Sequence, residues 1–316
     1  MTSVSGDYNF SSLKRRGETL IDSGQYEEAL NIYMELEKQS RKLCDKKAIV
    51  YSLDKQAFIV ERKLLWEDAL KLHREAAILL KEMEDWPGLQ LCLKNQISLL
   101  KDMKKYEKLL SISKEREQIC QLIEDQKGVA ESLRSQGYAL KIIASYEEAI
   151  EKYLKAEQIY RKLKDMKCLV VSLADHVDYL KTKRQFPKAI ELLEEQEGIF
   201  RELGDCNGAF YALADQIILY ELLEDFENAF KIFDKQESIA RNKEPDFLAD
   251  FLIHKAEHYR MFGNWEKHKE ILHEALSIAQ ENKNKQMEED AMWFISQAEI
   301  AEAEFGGNPP GRIRLS

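Results

Sequence analysis

Large aromatic residues recur along the chain at a fixed interval. Tyr26, Trp66, Tyr106, Tyr146, Phe186 and Phe226 stand 40 residues apart, and Trp265 follows after 39. Thirteen residues before each stands a leucine: Leu13, Leu53, Leu93, Leu133, Leu173, Leu213 and Leu252. Three residues after each comes a mostly small side chain: Ala29, Ala69, Leu109, Ala149, Ala189 and Ala229, with His268 the deviant last member. Aspartates keep the same period at Asp45, Asp85, Asp125, Asp165 and Asp205. Self-similarity at a period of about 20 to 50 residues marks a stacked repeat array, which grows as one body however long the chain becomes.

Each unit has a physical reading. A first helix starts after the aspartate, whose carboxylate suits an N-cap. In the fourth unit Leu133, Gly137 and Leu140 fall at helical spacing on one stripe. A short turn follows, and the aromatic opens a second helix through Ala149, Tyr153, Ala156 and Ile159. The small residue lets the two helices approach, and the aromatic fills the wedge between them. Pro87, Pro187 and Pro245 all fall at expected helix starts, where a missing N–H costs nothing. With only 13 Gly and 5 Pro, the chain has little material for any other architecture than helices with short turns.

The expected organisation is a single array over 10–304, with units at about 10–44, 45–84, 85–124, 125–164, 165–204, 205–243 and 244–283 and a capping helix at 284–304. Met287, Ala291, Phe294, Ala298 and Ala301 supply the apolar side of that cap. Residues 1–9 are expected to be flexible and 305–316, with Gly-Gly and Pro-Pro, a disordered tail. Asn242 to Pro245 is the one irregular junction, where the period loses a residue.

The pattern resembles the tetratricopeptide repeat family. Gly17, Leu20, Gly24, Tyr26, Ala29 and Tyr33 match its signature in the first unit. Leu133, Gly137, Tyr138, Tyr146, Ala149, Tyr153 and Ala156 match it in the fourth. The resemblance covers about residues 10–282. Its 40-residue form, with Leu203, Gly204, Asp205 and Gly208, is similar to the repeats of kinesin light chains, spindle-orientation adaptors and the sensor arms of signalling NTPases. The resemblance implies an all-α fold: a right-handed α-solenoid of seven helix–turn–helix repeats whose first helices line a concave groove. One subtype clamps a partner's terminal carboxylate with lysine and asparagine. Glu18 and Phe58 occupy the asparagine position here, so that subtype is not expected.

Mapped by this resemblance, the groove receives Asp54, Phe58 and Glu61 below Tyr51 from the second unit, and Lys94, Asn95, Ser98 and Lys101 from the third. The fourth gives Arg134, Tyr138 and Lys141, the fifth Asp175, Asp178 and Lys181, and the sixth Tyr211, Asp215, Ile218 and Glu221. The seventh gives His254, Glu257 and Arg260. The expectation is a bipolar groove: a basic part around Tyr138 and an acidic part, with Asp175, Asp178, Asp215 and Glu221, around Tyr211. A partner segment with an acidic and a basic part would lie along it, anchored on the aromatics.

Other chemistries find little support. A net charge of −10 argues against nucleic acid as main partner, because phosphate binding needs a basic face. No apolar run approaches the roughly 20 residues of a membrane span, and Met1 to Phe10 lacks a signal-peptide core. Cys44, Cys92, Cys120, Cys168 and Cys206 show no metal or redox spacing and are expected to be reduced, helix-packing thiols of a cytoplasmic protein. His254-Lys255-Ala256-Glu257-His258 matches an inverse zinc-peptidase motif, but Leu252, Ala256 and Tyr259 already assign this helix to packing. Glu37, Glu117, Glu157, Glu197 and Glu237 lie on different units, too far apart to share a substrate atom, and are expected to meet lysines or solvent. No phosphate-binding or nucleophile-elbow motif occurs, and no cofactor or metal is expected. The functional expectation is a non-enzymatic adaptor that binds a peptide or helix of another protein. The alternatives are a regulatory or sensor arm that gates an effector and, less favoured, a zinc hydrolase at the His254 motif.

Overall fold

The structure is a computed structural model and describes residues 3–305. These form fifteen α-helices and no strand. The pairs are α1 (Ser3–Asp22) with α2 (Tyr26–Lys42), α3 (Lys46–Arg62) with α4 (Trp66–Glu82), and α5 (Trp86–Asp102) with α6 (Tyr106–Leu122). Next come α7 (Gln126–Ile142) with α8 (Tyr146–Leu163), α9 (Met166–Thr182) with α10 (Phe186–Glu202), and α11 (Cys206–Leu222) with α12 (Phe226–Ala240). Helices α13 (Pro245–Met261) and α14 (Trp265–Glu281) make the seventh pair, and α15 (Lys285–Phe305) follows. The chain divides into two compact units, with the boundary inside α9 between Asp175 and His176. Helix α1 already begins at Ser3, within the segment expected to be flexible. Apart from Phe305, the tail expected at 305–316 lies outside the described residues.

The period has a backbone cause. Most helices run 17 residues, and a three-residue turn then resets the direction. In each such turn the chain reverses through a Schellman motif. Cys44 N–H donates to Arg41 O at 3.2 Å and Asp45 N–H to Ser40 O at 3.0 Å, which satisfies two terminal carbonyls. The motif requires one left-handed residue, and these recur every 20 positions from Gly24 through Cys44, Leu64, Glu84, Lys104 and onward. Only Gly24, Gly204 and Gly263 are glycines. At Ala144 (φ 65°, exposed), the Cβ meets the following carbonyl oxygen. Ala144→Gly removes that clash, and only part of the gain is offset by the added freedom of the unfolded chain. The variant is therefore expected to be more stable by about 0.5–1 kcal/mol, as read from its urea midpoint.

The five periodic aspartates are the N-caps of α3, α5, α7, α9 and α11. Their Oδ1 atoms accept from Ala48 N at 3.1 Å, Gly88 N at 3.0 Å, Gly128 N at 2.9 Å, Cys168 N at 3.0 Å and Gly208 N at 2.9 Å. Pro87 and Pro187 take the second position of their helices and Pro245 the first.

In both units the core is built from the periodic residues. Leu53, Leu93, Leu133, Leu173, Leu213 and Leu252 are buried, as are Ala29, Ala69, Ala149, Ala189 and Ala229. In the last pair His268 takes the small-residue place and is itself buried, its Nδ1 2.8 Å from Ala256 O. Helix α15 buries Ala291, Ile295 and Ala298 and exposes Met292, Trp293 and Ile300 on its other side.

One junction departs from the rule. Helix α12 stops after 15 residues, and Arg241–Glu244 runs on without a left-handed residue before Pro245 opens α13. This is where the 40-residue period loses its one member. The seam between α12 and α13 is the sparsest between consecutive helices from α10 to α15.

Candidate partner-binding surfaces

In the first unit, α5, α6 and α7 enclose a cavity of about 220 Å3 that also touches Asp175 of α9. Lys94, Lys101, Arg134 and Tyr138, which the resemblance mapped to the groove, all line it. Its base is ordered by Arg116, whose side chain is 3% exposed. Arg116 donates to Gln90 O at 3.2 Å, to Gln90 Oε1 at 3.1 Å and to Glu131 Oε2 at 2.8 Å. Lys94 Nζ donates to the other Glu131 oxygen at 3.2 Å. Burial alone would raise the Glu131 pKa, but the bonds from Arg116 and Lys94 outweigh it and hold the carboxyl below its ordinary value.

Tyr138 stands among cations. Lys101 Nζ lies 4.5 Å from its ring centroid and Lys141 Nζ 5.8 Å, while Tyr106 meets the ring edge-on at 6.2 Å. Four cationic side chains and two carboxylates line the cavity, so it is positive on a chain of net charge −10. Arg134 donates to Asp175 at 3.4 Å. This corrects the bipolar expectation for Asp175: it belongs to the basic cavity, where it neutralises the neighbouring repeat's arginine. Asn95 faces the adjacent cleft of about 570 Å3, between α3 and α5, with Asp54, Phe58 and Asp102.

In the second unit the surroundings of Tyr211 are aromatic. Between α11 and α13, over Phe233 and Gln236 of α12, lies a cleft of about 380 Å3. Phe210 forms its wall, meeting Tyr211, Phe247 and Phe251 edge-on with centroids 6.0, 5.1 and 5.7 Å away. The acidic residues expected around Tyr211 are engaged elsewhere or lie outside the lining. Asp215 accepts from Lys181 at 3.3 Å, Glu221 faces His258, and Asp178 is exposed on α9. Sequence reasoning missed Phe210, Phe247 and Phe251. Their signal was an aromatic cluster on either side of the shortened junction.

A polar ladder runs inside the first unit. Gln56, Gln96 and Gln136 are buried at the same place in α3, α5 and α7 and donate to the preceding helix, at Tyr33 O, His73 O and Ser113 O. Gln136 also donates to Glu117 at 2.7 Å. The periodic glutamates thus brace the ladder and their own helices, as in the Arg41–Glu37 and Arg161–Glu157 pairs, while Glu237 meets a lysine of the neighbouring helix as expected. The shortened junction brings Lys255 to this place in α13. Its Nζ donates to Asp234 at 2.8 Å and Glu237 at 2.6 Å. Burial pushes the Lys255 pKa down, but the two carboxylates more than offset it and raise it above the ordinary lysine value.

The zinc-peptidase pattern is dispersed. His254 points to Asp250 at 3.8 Å, Glu257 binds Arg260 at 2.7 Å, and His258 faces Glu221. Among the described residues no group of three or more His, Cys, Asp or Glu side chains is placed to hold a metal ion. Cys92 and Cys120 are buried, whereas Cys44 and Cys206 are exposed at turn and helix start, outside the packing role expected of them. Among the described residues no helix is long and apolar enough to cross a membrane.

No protein-family model matches the sequence, and no curated protein is significantly similar to it. Solved structures are similar in fold. The apo form of RapI superposes with a TM-score of 0.58 at 16% identity, over 91% of this chain and 99% of that one. A tetratricopeptide repeat protein from Parabacteroides merdae gives 0.53 at 16% identity, over 90% of this chain and 99% of that one. A signal transduction ATPase with a tetratricopeptide repeat sensor, from Pyrococcus horikoshii, gives 0.51 at 17% identity, over 95% of this chain and 44% of that one. The 40-residue register, the helix pairs and these neighbours agree: the chain has the all-α solenoid fold of the tetratricopeptide repeat proteins.

Proposed function

We propose that this protein is a non-enzymatic interaction module of the cytoplasm, and that it binds an acidic segment of a partner protein on the first-helix face of its first unit. The observation that carries the reading is the positive cavity around Tyr138 on an otherwise acidic chain. Lys94 and Lys101 reach solvent there, and Tyr138 offers an aromatic surface with its ring already flanked by ammonium groups. Such a patch attracts carboxylates, and a frame of buried Arg116 and Gln136 with half-buried Glu131 holds it in place before the partner arrives. The negative chain as a whole speaks against nucleic acid.

The test is capture of partners from source-cell extract by wild type and by an Arg134→Glu, Tyr138→Ala, Lys141→Glu variant shown by circular dichroism to be folded. A partner retained by the wild type is expected to be lost by the variant. Equal recovery with both would place binding outside this cavity.

A further inference from the structure

We propose that the α11–α13 cleft of the second unit takes one large apolar side chain of a partner segment, with a lysine or arginine next to it in that segment. The proposal rests on the reading of the chain as an interaction module, but on different residues in a different unit.

Three observations carry it. First, Tyr211, Ile218 and Phe247 are 68%, 48% and 36% exposed around one cavity, on a face that in the first unit is mostly polar. Several large apolar groups converging on a concavity form the kind of surface that a partner's anchor residue covers. Second, the walls are already set. Phe210 is locked by edge-to-face contacts with Tyr211, Phe247 and Phe251, so little ordering remains to oppose binding. The cleft also has a structural origin: α12 stops two residues short of the usual 17 and α13 meets α12 over a sparse seam, which leaves the space between α11 and α13 unfilled. At about 380 Å3 it holds an indole or a branched aliphatic side chain.

Third, charge specifies the neighbour. Among the described residues no lysine or arginine lines the cleft, and the one carboxylate there, Asp250, is exposed and 3.8 Å from the His254 ring. A cation entering beside the anchor gains Asp250 and the faces of the aromatic rings. Lys243 already shows that geometry, with Nζ 5.5 Å from the Phe247 ring centroid. An acidic flank would meet Asp250 and be repelled. The second unit therefore selects a chemistry opposite to that of the first.

The experiment is selection of random dodecapeptides displayed on phage against the full chain, followed by fluorescence anisotropy of the enriched peptides. Enriched sequences are expected to carry Trp, Phe or Leu adjacent to Lys or Arg. Tyr211→Ala with Phe247→Ala is expected to weaken them at least tenfold, as for a central anchor pocket, and Asp250→Lys about three- to tenfold. Ile218→Lys, at an exposed position, gives a second block of the cleft should the double variant unfold. Failure to enrich such peptides, or equal binding by the cleft variants, overturns the proposal. Peptides lost only with the Arg134→Glu, Tyr138→Ala, Lys141→Glu variant would overturn it and leave the first-unit reading standing. Light scattering that finds a dimer abolished by the cleft substitutions would make the occupant a second copy and likewise overturn it.

Discussion

Lys255→Ala is expected to cost about 1.5–3 kcal/mol, because it deprives half-buried Glu237 of its strongest partner and leaves it only Arg241. Lys255 is only 4% exposed, and it joins α13 to Asp234 and Glu237 of α12 where the seam between the two helices is sparsest. The loss should therefore be local. Amide exchange is expected to quicken across α13, α14 and α15 and to change little in α1 to α7. Lys255→Met with Glu237→Gln removes both charges and should recover most of the loss, since a packed apolar side chain beside a neutral amide leaves no charge stranded. The pH dependence follows from the directions of the two shifts. The Lys255 pKa is raised in the fold, so its contribution is full below the ordinary lysine value of 10.5 and is lost as pH rises through the folded value. Burial would raise the Glu237 pKa, but Lys255 and Arg241 lower it. Its contribution is full above 4.5 and is lost as pH falls through the folded value. The gap between wild type and Lys255→Ala should accordingly be flat through the neutral range and narrow at both extremes. A gap that varies steadily between pH 5 and 9 would contradict this account.

Gly137→Val is expected to cost about 3 kcal/mol, while Gly198→Ala stabilises the chain by about 0.5–1 kcal/mol. Both glycines sit inside helices, so helix propensity alone would favour replacing either. The difference is what a Cβ would meet. At Gly137 it would lie 2.8 Å from the ring of Tyr153, which is completely buried and has no room to retreat. At Gly198 no atom of the described residues lies within 4 Å. Gly17 repeats the arrangement of Gly137, its added Cβ 2.7 Å from the Tyr33 ring. The glycine–tyrosine pair thus sets how closely the first and second helices of a unit approach. Equal urea midpoints for Gly137→Val and wild type would show that the helices can separate without loss.

Much of the fold was legible because one signal repeats. Leucine, alanine, aromatic and aspartate at fixed offsets locate helix pairs, N-caps and the shortened junction before any coordinate is known. Even the left-handed turn residues follow the period, though Leu64, Glu84 and Arg184 carry no turn signature of their own. The site was less legible. Periodicity says which face of a helix a residue occupies, but not which neighbour on the next repeat it meets. Arg134 and Asp175 were therefore assigned to opposite ends of a groove, when they are bonded to each other. Lys255 was hidden inside a motif that suggested zinc. Only the 39-residue last step reveals that it stands where Gln56, Gln96 and Gln136 stand in the earlier pairs. The aromatic cleft escaped because Phe210 lies one position before Tyr211 and Phe247 seven before His254, both outside the positions mapped by resemblance, and because no pattern along the chain reports an unfilled space.

The central claim is that a partner lies against the first-helix face beside Tyr138. Site-specific photo-crosslinking tests it most directly, with a benzophenone amino acid placed in turn at Tyr138 and at Leu154, which is exposed on α8 outside the cavity. In source-cell extract, crosslinks to a discrete partner are expected from position 138 and not from 154. Crosslinks from 154 alone, or from neither position, would contradict the account.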